Sequence, residues 1–354
     1  MHKNYAKLFI ILCIAQLCLL IGTLVALSMI EDRYFVFGML TGRYTSKKYA
    51  QGIPCYNEPN QAFAKLVFLR ENPKKYEAYI MGSSRVGNIP NELISAYKTY
   101  NLTYSQGLPY EHLHNLFFLL KHGVQIQAVL LGLDDASYLL DPFAHRSQLL
   151  RVPHPETTGE SWLSFLRKYV RSGNYNFTER RQLFDIMNTG RPQIPEAVIQ
   201  AILENPDAHR SKALFAKPAQ TGVEQYREET LSEIKQIREL CENKGITLVV
   251  FINPIHVTTY KAGDINTFNR FKKELARIVP YYDFAYINKI TSDSFNYYDT
   301  SHYRENVGAM ILEKLGWLDT RTAPEAFGKY VTELNIYEHI DFLEHNMDAM
   351  INDK

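Results

Sequence analysis

Gly82-Ser83-Ser84-Arg85 follows a short apolar stretch, Tyr76–Met81. A hydroxyl at a strand-to-helix turn stands at the rim of a sheet, close to helix N–H groups that lack acceptors. Gly82 permits a tight turn. Ser is also a common helix cap, so the tetrad alone does not define a nucleophile. Asp299-Thr300-Ser301-His302 supplies the other two groups that an activated serine needs. These are a base within hydrogen-bond reach and a carboxylate to hold the far ring nitrogen. A D-x-x-H spacing lets one turn present both side chains to the same cleft; a capping Asp beside a surface His has the same spacing. Asn101-Leu102-Thr103-Tyr104-Ser105-Gln106-Gly107 closes a second strand. There Gly107 either offers a backbone N–H to a developing oxyanion or simply makes a turn. Arg85 suits a phosphate or carboxylate, and equally an exposed first helical turn. His256 follows the apolar run Ile246–Ile252 and so faces the same rim, as a substrate contact or a structural residue.

These residues need a scaffold that brings strand ends together. Strands are predicted at Tyr76–Met81, Tyr100–Tyr104, Ala128–Leu131, Ile246–Ile252 and Phe284–Ile287. Helical apolar spacing is predicted over Glu111–His122, Thr221–Lys244, Phe268–Val279 and Glu305–Leu315. The helix from Thr221 opens on a capping box, Thr221-x-x-Glu224, and Gly245 ends it. Strands alternating with helices argue for an α/β fold, a parallel sheet with helices on both faces. Ligands on such sheets bind beyond the carboxyl ends of the strands. The alternation is interrupted over 136–220, read as a helical insertion with helices at Ser161–Val170, Glu179–Met187 and Pro195–Glu204. Residues 34–74 read as a juxtamembrane connector broken by Gly52, Pro54 and Pro73, and 75–320 as the α/β domain. Residues 321–354 read as a C-terminal helical tail. Its apolar groups are Phe327, Tyr330, Val331 and Leu334, then Ile340, Leu343 and Met347.

Residues 1–33 comprise a short tail and the uncharged run Leu8–Ile30, long enough to cross a bilayer as one helix. Lys3 and Lys7 precede the run, while Glu31, Asp32 and Arg33 follow it. The charge bias is slight; the short tail ahead of the first apolar segment favours a cytoplasmic N-terminus, and a run longer than a usual signal core favours an uncleaved anchor. A cleaved signal peptide, with Ala26-Leu27-Ser28 as its site, is the alternative. Either reading puts 34–354 outside the cytoplasm. The chain has 354 residues, 46% of them hydrophobic, and a net charge of +1. It can therefore bury a large core, and it lacks the basic field that nucleic acid needs. Of four cysteines, Cys13 and Cys18 lie in the apolar run. Cys55 and Cys241 remain for one disulfide that sequence cannot place. No Cys/His spacing suggests a metal site, and no cofactor is implied.

Taken together, the four blocks Gly82-Ser83-Ser84, Gly107, Gly132-Leu133-Asp134-Asp135 and Asp299-Thr300-Ser301-His302 fall in a known order. The chain resembles the SGNH (GDSL-like) hydrolase superfamily over about 75–315. Within it, the Gly-Ser-Ser variant and the N-terminal anchor look similar to the D-alanyl-transfer proteins of teichoic acid synthesis and to exopolysaccharide O-acetyltransferases. The resemblance implies a flavodoxin-like three-layer sandwich with Ser84 rather than Ser83 as nucleophile, His302 as base and Asp299 as its orienter. It implies an esterase or O-acyltransferase acting on a cell-envelope glycan or acyl carrier, with a multi-spanning membrane acyl donor as a possible partner. Two positions depart from the family. Ser83 replaces its Asp, and Asp134 stands where its Asn donates to the oxyanion. An ionised carboxylate cannot donate. Asp134 is therefore expected to point away, leaving the N–H groups of Ser84 and Gly107. The rival reading is a non-catalytic envelope protein that keeps the fold to bind glycan or scaffold an assembly.

Overall fold

A computed structural model describes residues 2–45, 53–55, 58–143, 148–171, 182–219 and 222–352. The apolar N-terminal run lies within one long helix, His2–Glu31, of which Tyr5–Glu31 is long and apolar enough to span a membrane. The described residues form nine short strands in two sheets. β1 (Ile53–Cys55), β5 (Gln182–Phe184) and β6 (Pro192–Gln193) form a small antiparallel sheet. β2 (Ala78–Gly82), β3 (Thr99–Asn101), β4 (Ala128–Leu133), β7 (Thr247–Ile252), β8 (Tyr281–Asp283) and β9 (Lys329–Val331) form the main sheet in the order β3-β2-β4-β7-β8-β9. All its pairings are parallel except β8–β9.

The central strands β2 and β4 are buried along their whole length. Strands covered on both faces read as continuous apolar runs, which is why AYIM and AVLL were visible in sequence. One face packs against Pro109–Lys121, Arg227–Lys244 and Ile265–Ala276, through Leu116, Ile234, Ile237, Phe271 and Leu275. The other face packs against Glu305–Lys314 through Val307 and Ile311. The protein is thus α/β, with a mostly parallel sheet flanked by helices and one apolar helix at its N-terminus.

Several boundaries differ from the sequence reading. The fifth parallel strand is Tyr281–Asp283 rather than Phe284–Ile287, whose apolar side chains are buried just beyond it. Within 34–74, Gln61–Glu71 is a helix buried over Gln61–Leu69, and Val36–Met39 is buried as well, so these two segments belong to the core. Part of Glu179–Met187 is strand β5, paired to β1 rather than helical; Glu179 lies outside the described residues, as does Gly52. The C-terminal segment supplies β9 before its helix Ile336–Asn352, so it completes the main sheet. The long helix after the insertion starts at Arg227, with Thr221 outside the described residues. Cys241 is an unpaired thiol buried against the core.

Candidate active site

The main sheet delivers three loops to one rim. β2 ends at Gly82, whose φ of +145° is a conformation that favours glycine. A Cβ there would also strike the Gly132 carbonyl and the Val86 side chain. Gly107 approaches from the β3 side, where a Cβ would lie 2.5 Å from the Gly82 carbonyl oxygen. His112 Nε2 donates to that same oxygen at 3.1 Å; burial pushes this imidazole down to about 3, so it is neutral. The chain can therefore turn sharply after Gly82 into the 3-10 turn Ser84–Asn88.

The two adjacent serines have opposite fates. Ser83 is buried and donates to Asp134 Oδ2 at 2.5 Å. Ser84 is half-exposed, and its Oγ lies 2.9 Å from His302 Nε2. The other ring nitrogen, Nδ1, lies 2.9 Å from Asp299 Oδ2 and 3.1 Å from Oδ1. A bridge between Tyr297 and Tyr303 pinches the loop that carries both residues. Inside it, the N–H groups of Ser301 and His302 donate to Asp299 Oδ1 at 2.7 and 2.8 Å. Burial raises the Asp299 pKa, but the His302 contact and these two N–H groups outweigh it and hold the carboxyl at about 2. It is therefore an ionised acceptor that fixes the Nδ1–H tautomer and leaves Nε2 to take the serine proton.

Arg85 does not face solvent. Its Nη1 lies 2.7 Å from Asp135 and 3.1 Å from Asp134, and its Nε donates to the Ser301 carbonyl at 3.1 Å. Burial works against its charge, but Asp135 and Asp134 more than offset this and hold it protonated. Arg85 thus ties the serine turn to the β4 loop and to the histidine loop. Through Nε and Nη1 it acts as a strut. Asp134 is buried; its Oδ2 accepts from Ser83 and lies 3.1 Å from Arg85 Nη1, while its Oδ1 has no hydrogen-bond partner.

Gly107 contributes by close approach. Its N–H donates to the Tyr104 carbonyl at 3.0 Å and is not turned toward Ser84 in this conformation. Ser83 accepts from the next N–H groups of the turn, Arg85 N–H at its Oγ (3.4 Å) and Val86 N–H at its carbonyl (3.1 Å), and the Ser84 N–H is the candidate oxyanion donor ahead of them. His256 is structural. Its Nδ1 caps Val257–Ala262 by accepting from the Thr258 N–H at 3.2 Å, and its Nε2 lies 3.1 Å from Ser294 Oγ. Burial lowers it to about 4, so it is neutral.

Sequence reasoning missed the groups beneath the Thr103–Gly107 turn. Lys65 is fully buried and donates to the Thr103 carbonyl; desolvation lowers its pKa to about 7. Arg151 donates to the carbonyls of Ser105 and Gln106 at 2.6 and 2.7 Å and pairs with Glu111 at 3.0 Å. Asn101 Nδ2 donates to the Val86 carbonyl at 3.0 Å. Their partners are 15 to 46 positions away in sequence, so no local pattern marks them. Among the described residues, no cluster of three or more His, Cys, Asp or Glu is placed to hold a metal ion.

The fold and this rim define an α/β protein with a Ser-His-Asp constellation at the carboxyl ends of its parallel strands. No family model matches the chain, and no curated protein matches its sequence.

Proposed function

We propose that the chain is a membrane-anchored, extracytoplasmic serine esterase or O-acyltransferase with an SGNH-like fold. It would act on acyl groups of a cell-envelope polysaccharide or an acyl carrier. The observation that carries this reading is the unbroken line Ser84 Oγ, His302, Asp299, with contacts of 2.9 Å at each step. His302 Nε2 takes the Ser84 proton as Oγ attacks the acyl carbonyl, and the Ser84 N–H stabilises the oxyanion. His302 then protonates the leaving alkoxide. In the second half-reaction it deprotonates water or a sugar hydroxyl, which attacks the acyl-serine and regenerates the enzyme. A membrane acyl donor would supply the first substrate and an envelope glycan would accept, with the anchor holding the domain between them.

A non-catalytic glycan-binding role has two observations in its favour: the Gly107 N–H is committed to Tyr104, and the Asp134 carboxyl is engaged with Ser83 and Arg85. The two readings separate in an assay of the detergent-solubilised full chain with p-nitrophenyl acetate, with and without an oligosaccharide acceptor. The proposal expects hydrolysis that is absent from Ser84→Ala, and acetylated oligosaccharide if the enzyme is a transferase. Equal rates for wild type and Ser84→Ala would reject it.

A further inference from the structure

The helix Trp162–Arg171 has two faces. Phe165 and Tyr169 point inward, and Tyr169 is fastened there by Asn60 Nδ2 at 2.7 Å and the Leu149 carbonyl at 2.8 Å. The outer side carries Leu163, 80% exposed; Trp162, 37% exposed, packs edge-on against Phe63, His154 and Phe165 and leaves one edge of its ring outside. Leu166 and Val170 are half-buried, and Arg167 is exposed. Leu163, Leu166 and Val170 fall at i, i+3 and i+7, one row along the helix. That row ends against the apolar N-terminal helix, where Ser28 Oγ contacts the Val170 carbonyl at 3.4 Å. Ser28 is in the last turn of the candidate span, and Glu31, Asp32 and Arg33 follow at once. The contact therefore sits where the span leaves the hydrocarbon. A leucine left in water on a helix that also offers Trp and Arg is the pattern of a helix lying in a membrane interface. Trp favours the headgroup level because its ring is apolar with one polar N–H.

We propose that Trp162–Arg171 is a second membrane contact, lying in the headgroup region beside the anchor. Leu163 and the exposed part of Trp162 face the acyl chains, and Arg167 faces anionic headgroups. The inference rests on reading His2–Glu31 as an anchor. One helix alone is a pivot about which a domain can swing. A second contact fixes its tilt, and Tyr169 passes that constraint to the helix Gln61–Glu71, whose Lys65 holds the Thr103 carbonyl beside the serine turn.

The chain has two tryptophans, so Trp317→Phe leaves Trp162 as sole reporter. The full chain is reconstituted in phosphatidylcholine/phosphatidylglycerol vesicles, with or without bromine on acyl carbons near the headgroup. Bromolipid is expected to cut Trp162 emission by about half, and adding Leu163→Glu should restore most of it. A control chain carries Trp162→Phe, Trp317→Phe and Leu27→Trp, placing the reporter in the anchor at the depth of the bromines. Quenching of that control without quenching of Trp162 would overturn the inference and leave the anchor intact. An unquenched control would overturn the anchor itself, and this inference with it.

Discussion

Two histidine–aspartate pairs in this molecule have the same length and different surroundings. At the rim, His302 and Asp299 meet at 2.9 Å with side chains 34% and 46% exposed. At the sheet edge, His339 and Asp283 also meet at 2.9 Å, but are 4% and 0% exposed. Asp283 further accepts from Lys272 Nζ at 2.8 Å and from the Ala285 N–H at 2.8 Å. Burial opposes its ionisation, but Lys272 and His339 outweigh that and lower its pKa. The inner pair joins β8 to Ile265–Ala276 and Ile336–Asn352. What distinguishes the outer pair is the group across the ring. His302 turns its second nitrogen to a serine hydroxyl, whereas His339 packs edge-on against Tyr286. A histidine–carboxylate contact is therefore not a site until a nucleophile and an open rim complete it.

The contrast can be broken by mutation. Ser84→Ala and His302→Ala are expected to lower acyl-ester turnover by roughly 10⁴-fold or more with unchanged melting, because the pair and its nucleophile act as one unit. Asp299→Asn should cost about 10³- to 10⁴-fold by releasing the tautomer, with circular dichroism intact. Asp283→Asn should do the reverse. It strands the buried Lys272 and should cost on the order of 3–5 kcal/mol in urea unfolding, while turnover per folded molecule is kept. Ser83→Ala removes one hydrogen bond to a buried carboxylate. It is expected to cost about 1.5–3 kcal/mol and to leave the nucleophile active.

A further effect is in acid. His154 and His256 are lowered from 6.5 to about 4, and His112 to about 3, each chiefly by burial. The unfolded chain binds protons below pH 6.5 that the folded one refuses. Their contribution to stability is thus complete above that pH and lost as it falls toward 4. Melting temperature should decline over this window. The decline should be shallower in His256→Asn, whose side-chain oxygen can still cap the Thr258 N–H.

The triad was legible because its parts are local. A strand-end Gly-Ser-Ser and an i,i+3 Asp-x-x-His declare their chemistry within four residues each, and the buried strands between them read as apolar runs. The support was not legible. Asp283 and His339 are 56 positions apart, and Arg85 and Ser301 are 216 apart. Such pairings are set by tertiary packing. Lys329–Val331 looked helical because its tyrosine and valine share a helical spacing with Leu334, but the open edge of β8 offered unpaired backbone groups and took it as a strand. Gln61–Glu71 hid for another reason. Its buried face includes Gln61 and Lys65, polar residues that earn burial only through partners elsewhere in the chain.

Labelling with a fluorophosphonate tests the central claim most directly, since such probes react only with a serine whose proton a base can take. Intact-mass and peptide analysis of the folded full chain should find one adduct, on Ser84. It should persist in Ser83→Ala and Asp283→Asn and vanish in His302→Ala. A folded wild-type chain that takes no label, or an adduct on Ser83, would contradict the account.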